Sequence, residues 1–336
     1  MKVIITGATG FIGRNIAEAF YADGIEVLAT GRSEKVGKEL TAQGIAFQAA
    51  DIAEESRIMT ALAPADVMIH CAAKAGDWGR IDDFRRTNII GTRNIIAACK
   101  KYGISKIVFL STPSMYYTGE DRLNISEDEP LPNKMTSIYS RTKLTNEQEL
   151  LALKSDGIRT IILRPRAVFG PYDNIIIPRI LGMAQKASFP LINGGRALVD
   201  ITYVGNLVEA VRLCLNAPDN AWNEVYNISN GEPITIRDWF AQVTQVFGFP
   251  FNPKSVPLAA AKAKAGWMEL LTRLPFGPKK PTMTRFSVGY MAKSMTLSLE
   301  KAKAKLGYTP PIDNAESFNK LIEWYSMRRK QERRKG

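Results

Sequence analysis

A chain of 336 residues is long enough for one large domain or two ordinary ones, and its 45% hydrophobic and 23% charged content is that of an ordinary enzyme. A single histidine, His70, excludes any mechanism that needs two imidazoles and argues against a zinc centre. The net charge of +12 is confined to two stretches, residues 254–293 and the basic tail 328–336; elsewhere acids and bases balance, so the excess alone does not mark a nucleic-acid binder.

Residues 2–6 are a short β-branched run, followed by glycines and a helical pattern through about Asp23. Strands are expected at 26–30, 47–49, 66–70, 106–110 and 160–163, with helices at 81–102 and 137–154. Strand–helix alternation with short connections means a parallel sheet covered on both faces, and right-handed crossovers make it doubly wound. The chain is therefore expected to be α/β, with a dinucleotide-binding Rossmann domain over residues 1–165. After Pro165 the rhythm changes: Pro and Gly become dense and strands short. Helices are expected at about 206–216, 236–247, 258–271 and 297–306, and from Asn314. Residues 166–327 should form a smaller, irregular, mainly substrate-binding region, with some segments returning to the Rossmann core. No apolar run approaches the roughly 18 residues of a membrane span. Cys71, Cys99 and Cys214 lie far apart in apolar stretches and read as small buried hydrophobes in a reducing compartment. The first residues enter a strand with no cleavable-signal pattern, so a cytoplasmic location is expected.

Thr6-Gly7-Ala8-Thr9-Gly10-Phe11-Ile12-Gly13 leaves the first strand and opens a helix. Gly7 lets the backbone turn, Gly10 lets it approach a pyrophosphate, and Gly13 permits close helix–strand packing, with the phosphates at the positive helix N-terminus. A glycine triplet alone is a weak signal; the flanking strand and helix make it a dinucleotide site. An NAD site usually carries a carboxylate at the end of the second strand. Here the chain reads Ala29-Thr30-Gly31-Arg32-Ser33, and Arg32 is placed to pair with a 2′-phosphate, with Lys35 nearby. NADP(H) is thus expected over NAD(H), the alternative for Arg32 being a solvated surface side chain. Asp51 and Ile52, after the third strand, are expected to flank the adenine.

Tyr139-Ser140-Arg141-Thr142-Lys143 places Tyr and Lys four apart on a helix, about 40° apart around its axis. A free tyrosine has a pKa of about 10, and an adjacent ammonium is expected to draw it toward the working range. Hydroxyls in Ser111-Thr112-Pro113-Ser114, at the end of the fifth strand, could bond a substrate oxygen. His70, at the end of an apolar strand, reads as packing or hydrogen bonding. Met115, Tyr116 and Tyr117 either line a pocket or belong to the core.

With these residues the chain resembles the extended short-chain dehydrogenase/reductase family, of the NAD-dependent epimerase/dehydratase superfamily, over nearly its whole length. The matching residues are those from Thr6 to Gly13, His70-Cys71-Ala72-Ala73, Asn88-Ile89-Ile90-Gly91-Thr92, Ser111-Thr112, Tyr139-x-x-x-Lys143, and Leu163-Arg164-Pro165 through Phe169-Gly170-Pro171. The resemblance implies that Tyr139 is the general acid/base and that Lys143 also binds the nicotinamide ribose. It makes Thr112 the carbonyl-polarising hydroxyl, with Ser111 and Ser114 as fallbacks. Asn88 is either part of this machinery or a helix hydrogen bond. Ala72, Ala73 and Lys74 would contact the cofactor, and the loop carrying Pro165 and Val168 would border the nicotinamide.

Within the family, Thr202-Tyr203-Val204-Gly205-Asn206 is similar to the corresponding stretch of 3β-hydroxysteroid dehydrogenases. Val199 stands where many sugar-nucleotide enzymes place a diphosphate-gripping arginine, although Arg196 or Arg285 could compensate. The loop from Ala72 to Gly79, with Trp78, resembles that of 2-alkyl-3-oxoalkanoate reductases, as do residues 282–289 and 293–308. The resemblance implies NADP(H)-dependent reduction of a ketone, or oxidation of the matching secondary alcohol, in a small, largely hydrophobic substrate, and a homodimer. The alternatives are a nucleotide-sugar epimerase or dehydratase with tightly held NAD, and a non-catalytic dinucleotide sensor. Neither a nucleic-acid partner nor a metal is expected. The basic segment 254–293, interleaved with Val256, Leu258, Trp267 and Leu270, reads as a lid over the substrate or as a peripheral membrane surface.

Overall fold

The computed structural model describes residues 1–133, 135–186, 189–274, 276, 278 and 280–335, with side chains through Arg328. Lys279 and the tail side chains beyond Arg328, both counted in the charged stretches, lie outside the described residues.

The first part of the chain winds as read. β1 (Lys2–Thr6) leads through the glycine turn into α1 (Phe11–Ala22), whose face of Gly13, Ile16, Ala17 and Phe20 is buried. β2 (Glu26–Gly31) is followed by α2 (Glu34–Ala42), capped where the Ser33 hydroxyl accepts the Val36 N–H. β3 (Ala46–Ala49), α3 (Glu55–Ala61) and β4 (Val67–His70) come next. The helix expected at 81–102 is three pieces: α4 (Ile81–Phe84), a π-helical turn over Arg85–Ile90, and α5 (Gly91–Lys101). The turn centres on Asn88, whose carbonyl accepts from the Asn146 side chain at 2.9 Å, so a tertiary bond competes with the helical register there. β5 (Lys106–Leu110), β6 (Arg122–Ile125), α6 (Ile138–Ala152) and β7 (Arg159–Pro165) complete this part.

Beyond it lie β8 (Val168–Phe169), α7 (Ile176–Gln185), β9 (Phe189–Ile192), β10 (Leu198–Val199), β11 (Thr202–Tyr203), α8 (Val204–Leu215) and β12 (Glu224–Ile228). They are followed by β13 (Ile234–Thr235), α9 (Ile236–Val246), β14 (Pro253–Val256), α10 (Leu258–Leu271), α11 (Arg285–Ala292), β15 (Met295–Leu297), α12 (Glu300–Leu306) and α13 (Asn314–Lys335). The helix expected from Leu297 starts only at Glu300. Residues 295–297 are instead recruited as a strand between β10 and β6, an instance of tertiary pairing overriding local pattern. Helices α2, α3, α7 and α11, absent from the sequence reading, are short, at most 10 residues.

The main sheet is wholly parallel in the order β12-β7-β5-β4-β1-β2-β3. Its winding reverses between β1 and β4, and the crevice beyond the carboxyl ends of those strands is where such folds bind ligands. The seventh strand, β12, is drawn from residues 224–228, so the later chain returns to the sheet. Strands β13, β10, β15 and β6 form a second, four-stranded sheet, with a core of Phe169, Ile177, Trp239, Phe240 and Phe318 beside it. No described helix is long and apolar enough to cross a membrane.

Candidate active site

The glycine loop has the geometry that phosphate binding requires. Gly7 has φ +70°, and a Cβ there would lie 2.8 Å from the backbone of Ala72 at the end of β4. A Cβ on Gly13 would lie 2.4 Å from the Gly7 carbonyl oxygen, so α1 can approach the loop only without one. Gly10 caps α1 without a side-chain bond, and no acid occupies the first turn, leaving the N–H groups and the positive end of the helix for an anion. Thr9 packs over Gly31, and Ala72 N–H donates to Thr6 Oγ1 at 3.3 Å. The loop, β2 and β4 are thereby held in one cradle, and these residues fit a dinucleotide pyrophosphate.

Arg32 follows β2 directly, is exposed, and makes no hydrogen bond or ion pair with the described residues. Asp51 accepts the Ala53 N–H at 3.0 Å, and Ile52 is buried with its carbonyl held by Asn94. Lys74 has its main-chain N–H and carbonyl both bonded by the Asn88 side chain, at 2.7 and 3.1 Å, and its ammonium paired with Asp83. Asn88 also donates to Thr142 Oγ1 at 2.9 Å, tying the 72–74 loop to α6. These bonds run to another loop and another helix, so the reading of a helix hydrogen bond does not describe them.

Ser137 caps α6, which presents Tyr139 and Lys143 on one face. Lys143 is 2% exposed, donates to the Leu110 carbonyl at 2.5 Å, and stands 6.0 Å from the Tyr139 ring centroid. Burial lowers its ammonium to about 7. The expectation that this ammonium draws the phenol down is not met. Desolvation pushes Tyr139 above its ordinary value, while Lys143, 6.0 Å from the ring centroid, donates to the Leu110 carbonyl.

Thr112 Oγ1 pairs with Ser114 Oγ at 2.9 Å, which pairs with Ser140 Oγ at 2.9 Å, a hydroxyl chain from the end of β5 to the residue after Tyr139. Ser111 Oγ is enclosed without a partner. His70 is fully buried and hydrogen-bonded at both ring nitrogens, to Thr6 and Thr92, and desolvation lowers it to about 3. It is a neutral structural link. Cys99 and Cys214 are buried as expected, whereas Cys71 is only partly covered.

Pro165 ends β7 and Val168 begins β8, with Ala167 between them at φ +44°. Met115 and Tyr116 are fully buried, but Tyr117 turns toward α11, in edge contact with Phe286 and Tyr290. A Cβ on Gly289 would lie 2.2 Å from the Tyr117 hydroxyl oxygen, which explains the glycine on that turn of α11. Thr284, in the capping box of α11, donates to Asp77 at 2.5 Å, joining the 72–79 loop to the same wall. Asn88 was named from sequence but its bonds to Lys74 and Thr142 were not, and of the aromatic pair of α11 only Phe286 lay in a stretch, 282–289, that the resemblance singled out. Val199 is buried, and Arg285 is held by Glu269 at 2.8 Å.

A model of the NAD dependent epimerase/dehydratase family matches residues 3–229. The chain is 32% identical over 332 residues to the 2-alkyl-3-oxoalkanoate reductase of Stenotrophomonas maltophilia, covering 96% of this chain and 98% of that protein. To the protein of the same name from Shewanella oneidensis it is 30% identical over 329 residues, covering 94% and 84%. Among solved structures, the UDP-glucose 4-epimerase of Thermotoga maritima shares the fold, with a TM-score of 0.77 and 22% identity over 97% of this chain and 99% of that one. On the strength of the matched residues and of these relatives, the chain belongs to the NAD dependent epimerase/dehydratase family.

Proposed function

We propose that this protein is an NADP(H)-dependent reductase of the ketone in a largely hydrophobic 3-oxo acid, with Tyr139 as proton donor, Thr112 as carbonyl-polarising hydroxyl and Lys143 as the ammonium behind them. That it is an NAD(P)-dependent oxidoreductase follows from its family and its reductase relatives. The observation that carries the finer reading is the pairing, on one turn of α6, of Tyr139 with the buried Lys143, beside the hydroxyl chain that begins at Thr112.

When bound, the dinucleotide supplies the hydride in reduction or accepts it in the reverse reaction. Gly7, Gly10 and Gly13 admit its pyrophosphate to the α1 N-terminus, and Arg32 is free to pair with a 2′-phosphate. Asp51, Ile52 and the 72–74 loop flank this groove, with Pro165 and Val168 at its nicotinamide end. Thr112 donates to the substrate carbonyl oxygen, and Ser114 fixes the direction of that hydroxyl. Tyr139 transfers its phenolic proton to the same oxygen as negative charge develops there, and Lys143 offsets the phenolate left behind.

Three further features support the substrate class. Two relatives are named for 3-oxoalkanoates. Tyr117, Phe286 and Tyr290 supply an apolar wall. On the outside of the molecule, Trp267, Leu270, Leu271, Leu274 and Phe276 are exposed beside Lys262, Lys264 and Arg273, an arrangement suited to peripheral contact with an anionic lipid surface. Sugar-nucleotide epimerisation has less support, because Val199 offers no charge and Arg285 is paired with Glu269, which leaves Arg196 alone of the two compensating arginines.

The test is NADPH consumption by the purified protein over 3-oxo acids, 3-ketosteroids, flavanonols, simple aldehydes and UDP-sugars. Turnover of 3-oxo acids ahead of the other classes is expected; turnover of a UDP-sugar with retained NAD overturns the reading.

A further inference from the structure

Two arginines lie two residues apart at the carboxyl end of β7, and their surroundings differ. Arg164 is 4% exposed and its charge is fully answered: Glu147 accepts from Nε at 3.0 Å and from Nη2 at 2.5 Å, and the Tyr116 hydroxyl takes Nη1 at 2.5 Å. Arg166 is equally buried, at 4%, yet no nitrogen of its guanidinium donates to a described residue, and its Nε is enclosed without any partner. A buried arginine left in this way is costly unless something else meets its N–H groups. Its guanidinium lies over the π face of Tyr290, 4.1 Å from the guanidinium carbon to the ring centroid, which answers the charge but offers no acceptor. The carboxylate that most affects it, Asp200, accepts the Leu297 N–H at 2.6 Å and makes no ion pair with it. Burial pushes the Arg166 guanidinium down to about 9, as expected of a cation lacking an anion.

The location of Arg166 narrows what the missing acceptor is. It follows Pro165 in the loop between β7 and β8 and packs on Tyr290, which packs on Tyr117, five residues after Thr112. Ser111 N–H donates to the Leu163 carbonyl at 2.7 Å, so the loops after β5 and β7 leave the sheet side by side. In a 3-oxo acid the carboxyl and ketone carbons are separated by a single carbon. An anion seat for such a substrate must therefore adjoin the hydroxyls that hold the ketone, and the loop after β7 begins beside the strand end that carries them.

We propose that Arg166 seats the substrate carboxylate, its planar fork donating to one or both carboxylate oxygens, and so selects a 3-oxo acid over the matching ester or neutral ketone. Tyr290 orients the fork from behind, and the seat supplies the carboxylate specificity that an aromatic wall alone lacks. This rests on the ketoreductase reading above, and the measurements are chosen to separate the two.

The wild-type full-length protein, saturated with NADPH, is titrated calorimetrically with decanoate, an unreactive probe, and with methyl decanoate. Reduction of 3-oxodecanoate and of its methyl ester is then followed by NADPH consumption in wild type, Arg166→Met and Arg166→Lys. Decanoate binding at least tenfold tighter than methyl decanoate, weakened by Arg166→Met and partly recovered in Arg166→Lys, supports the seat. So does a roughly tenfold to hundredfold fall in the acid-to-ester ratio of kcat/KM in Arg166→Met, the size of a lost charge-assisted hydrogen bond. Equal binding of decanoate and its ester by wild type overturns it, whatever the variants do. An equal fall of acid and ester turnover in Arg166→Met also overturns it, since that is the mark of a structural role. If decanoate binds in an Arg166-dependent way but no ketone is reduced, the seat stands and the reductase reading fails.

Discussion

The crevice at the carboxyl edge of the parallel sheet has two walls, and they are built differently. On the proposed cofactor side, the segments at 7–13, 31–32, 51–52 and 72–74 offer mostly main-chain atoms, missing Cβ atoms and one helix terminus. On the proposed substrate side, Tyr117, Arg166, Phe286 and Tyr290 come from three stretches far apart in the chain and offer their side chains. A main-chain site needs a local motif and tolerates little change at a few glycines. A side-chain site can be respecified one residue at a time while the first wall stays intact, and α6 lies on the seam between them.

The seam gives the largest expected effect. Tyr139→Phe should lower turnover by roughly 10²–10⁴-fold, the range of a lost general acid, while NADPH still binds by fluorescence titration. Substantial residual turnover would remove Tyr139 from the chemistry. Next is the ion pair that fastens α6 to β7: Glu147→Gln strands the buried Arg164 charge and should cost about 3–5 kcal/mol, read as a lower urea midpoint with an unchanged m-value. A loss under 1 kcal/mol would mean that the two walls are held together in some other way.

On the cofactor side alone, Arg32→Glu should move the NADPH-to-NADH ratio of kcat/KM by about tenfold to a hundredfold toward NADH, leaving the ranking of ketones alone. A wild-type preference for NADH would refute the assignment directly. The pH profile follows from Lys143, whose folded value is lowered to about 7 by burial. Its charged form, present below that value, is the one that offsets a phenolate. The kcat/KM for reduction should therefore fall as pH rises through about 7, by up to about tenfold per unit; a flat profile to pH 9 would contradict it. The smallest effect belongs to the outer surface of the substrate side. Trp267→Ser combined with Phe276→Ser should weaken co-sedimentation with phosphatidylglycerol vesicles several-fold, and an unchanged bound fraction would discard lipid contact there.

Much of the first wall was legible because its determinants are local. The Thr6-to-Gly13 run, the strand before it and the helix after it announce a turn that only glycine can make, and the structure places Gly7 and Gly13 accordingly. Tyr139 and Lys143 were equally legible, since four residues on any helix share a face. Their electrostatics were not: the phenol rises because of how α6 packs, and Lys143 is turned to the Leu110 carbonyl, a partner 33 residues away. The π-helical turn at Asn88 escaped the reading for a similar reason, since it depends on Asn146 across the groove.

The sequence by itself determined the parallel α/β winding, the glycine cradle, the missing acid at the end of β2 and the Tyr–Lys pair. Each of these rests on patterns within single elements and their flanks, or on the order in which such elements follow one another. Only the tertiary structure decided that residues 295–297 become a strand, that Tyr117 meets Phe286 and Tyr290, and that Arg164 is satisfied while Arg166 is not. Whether a buried charge has a partner depends on segments brought together by the whole fold, and no local pattern carries that information.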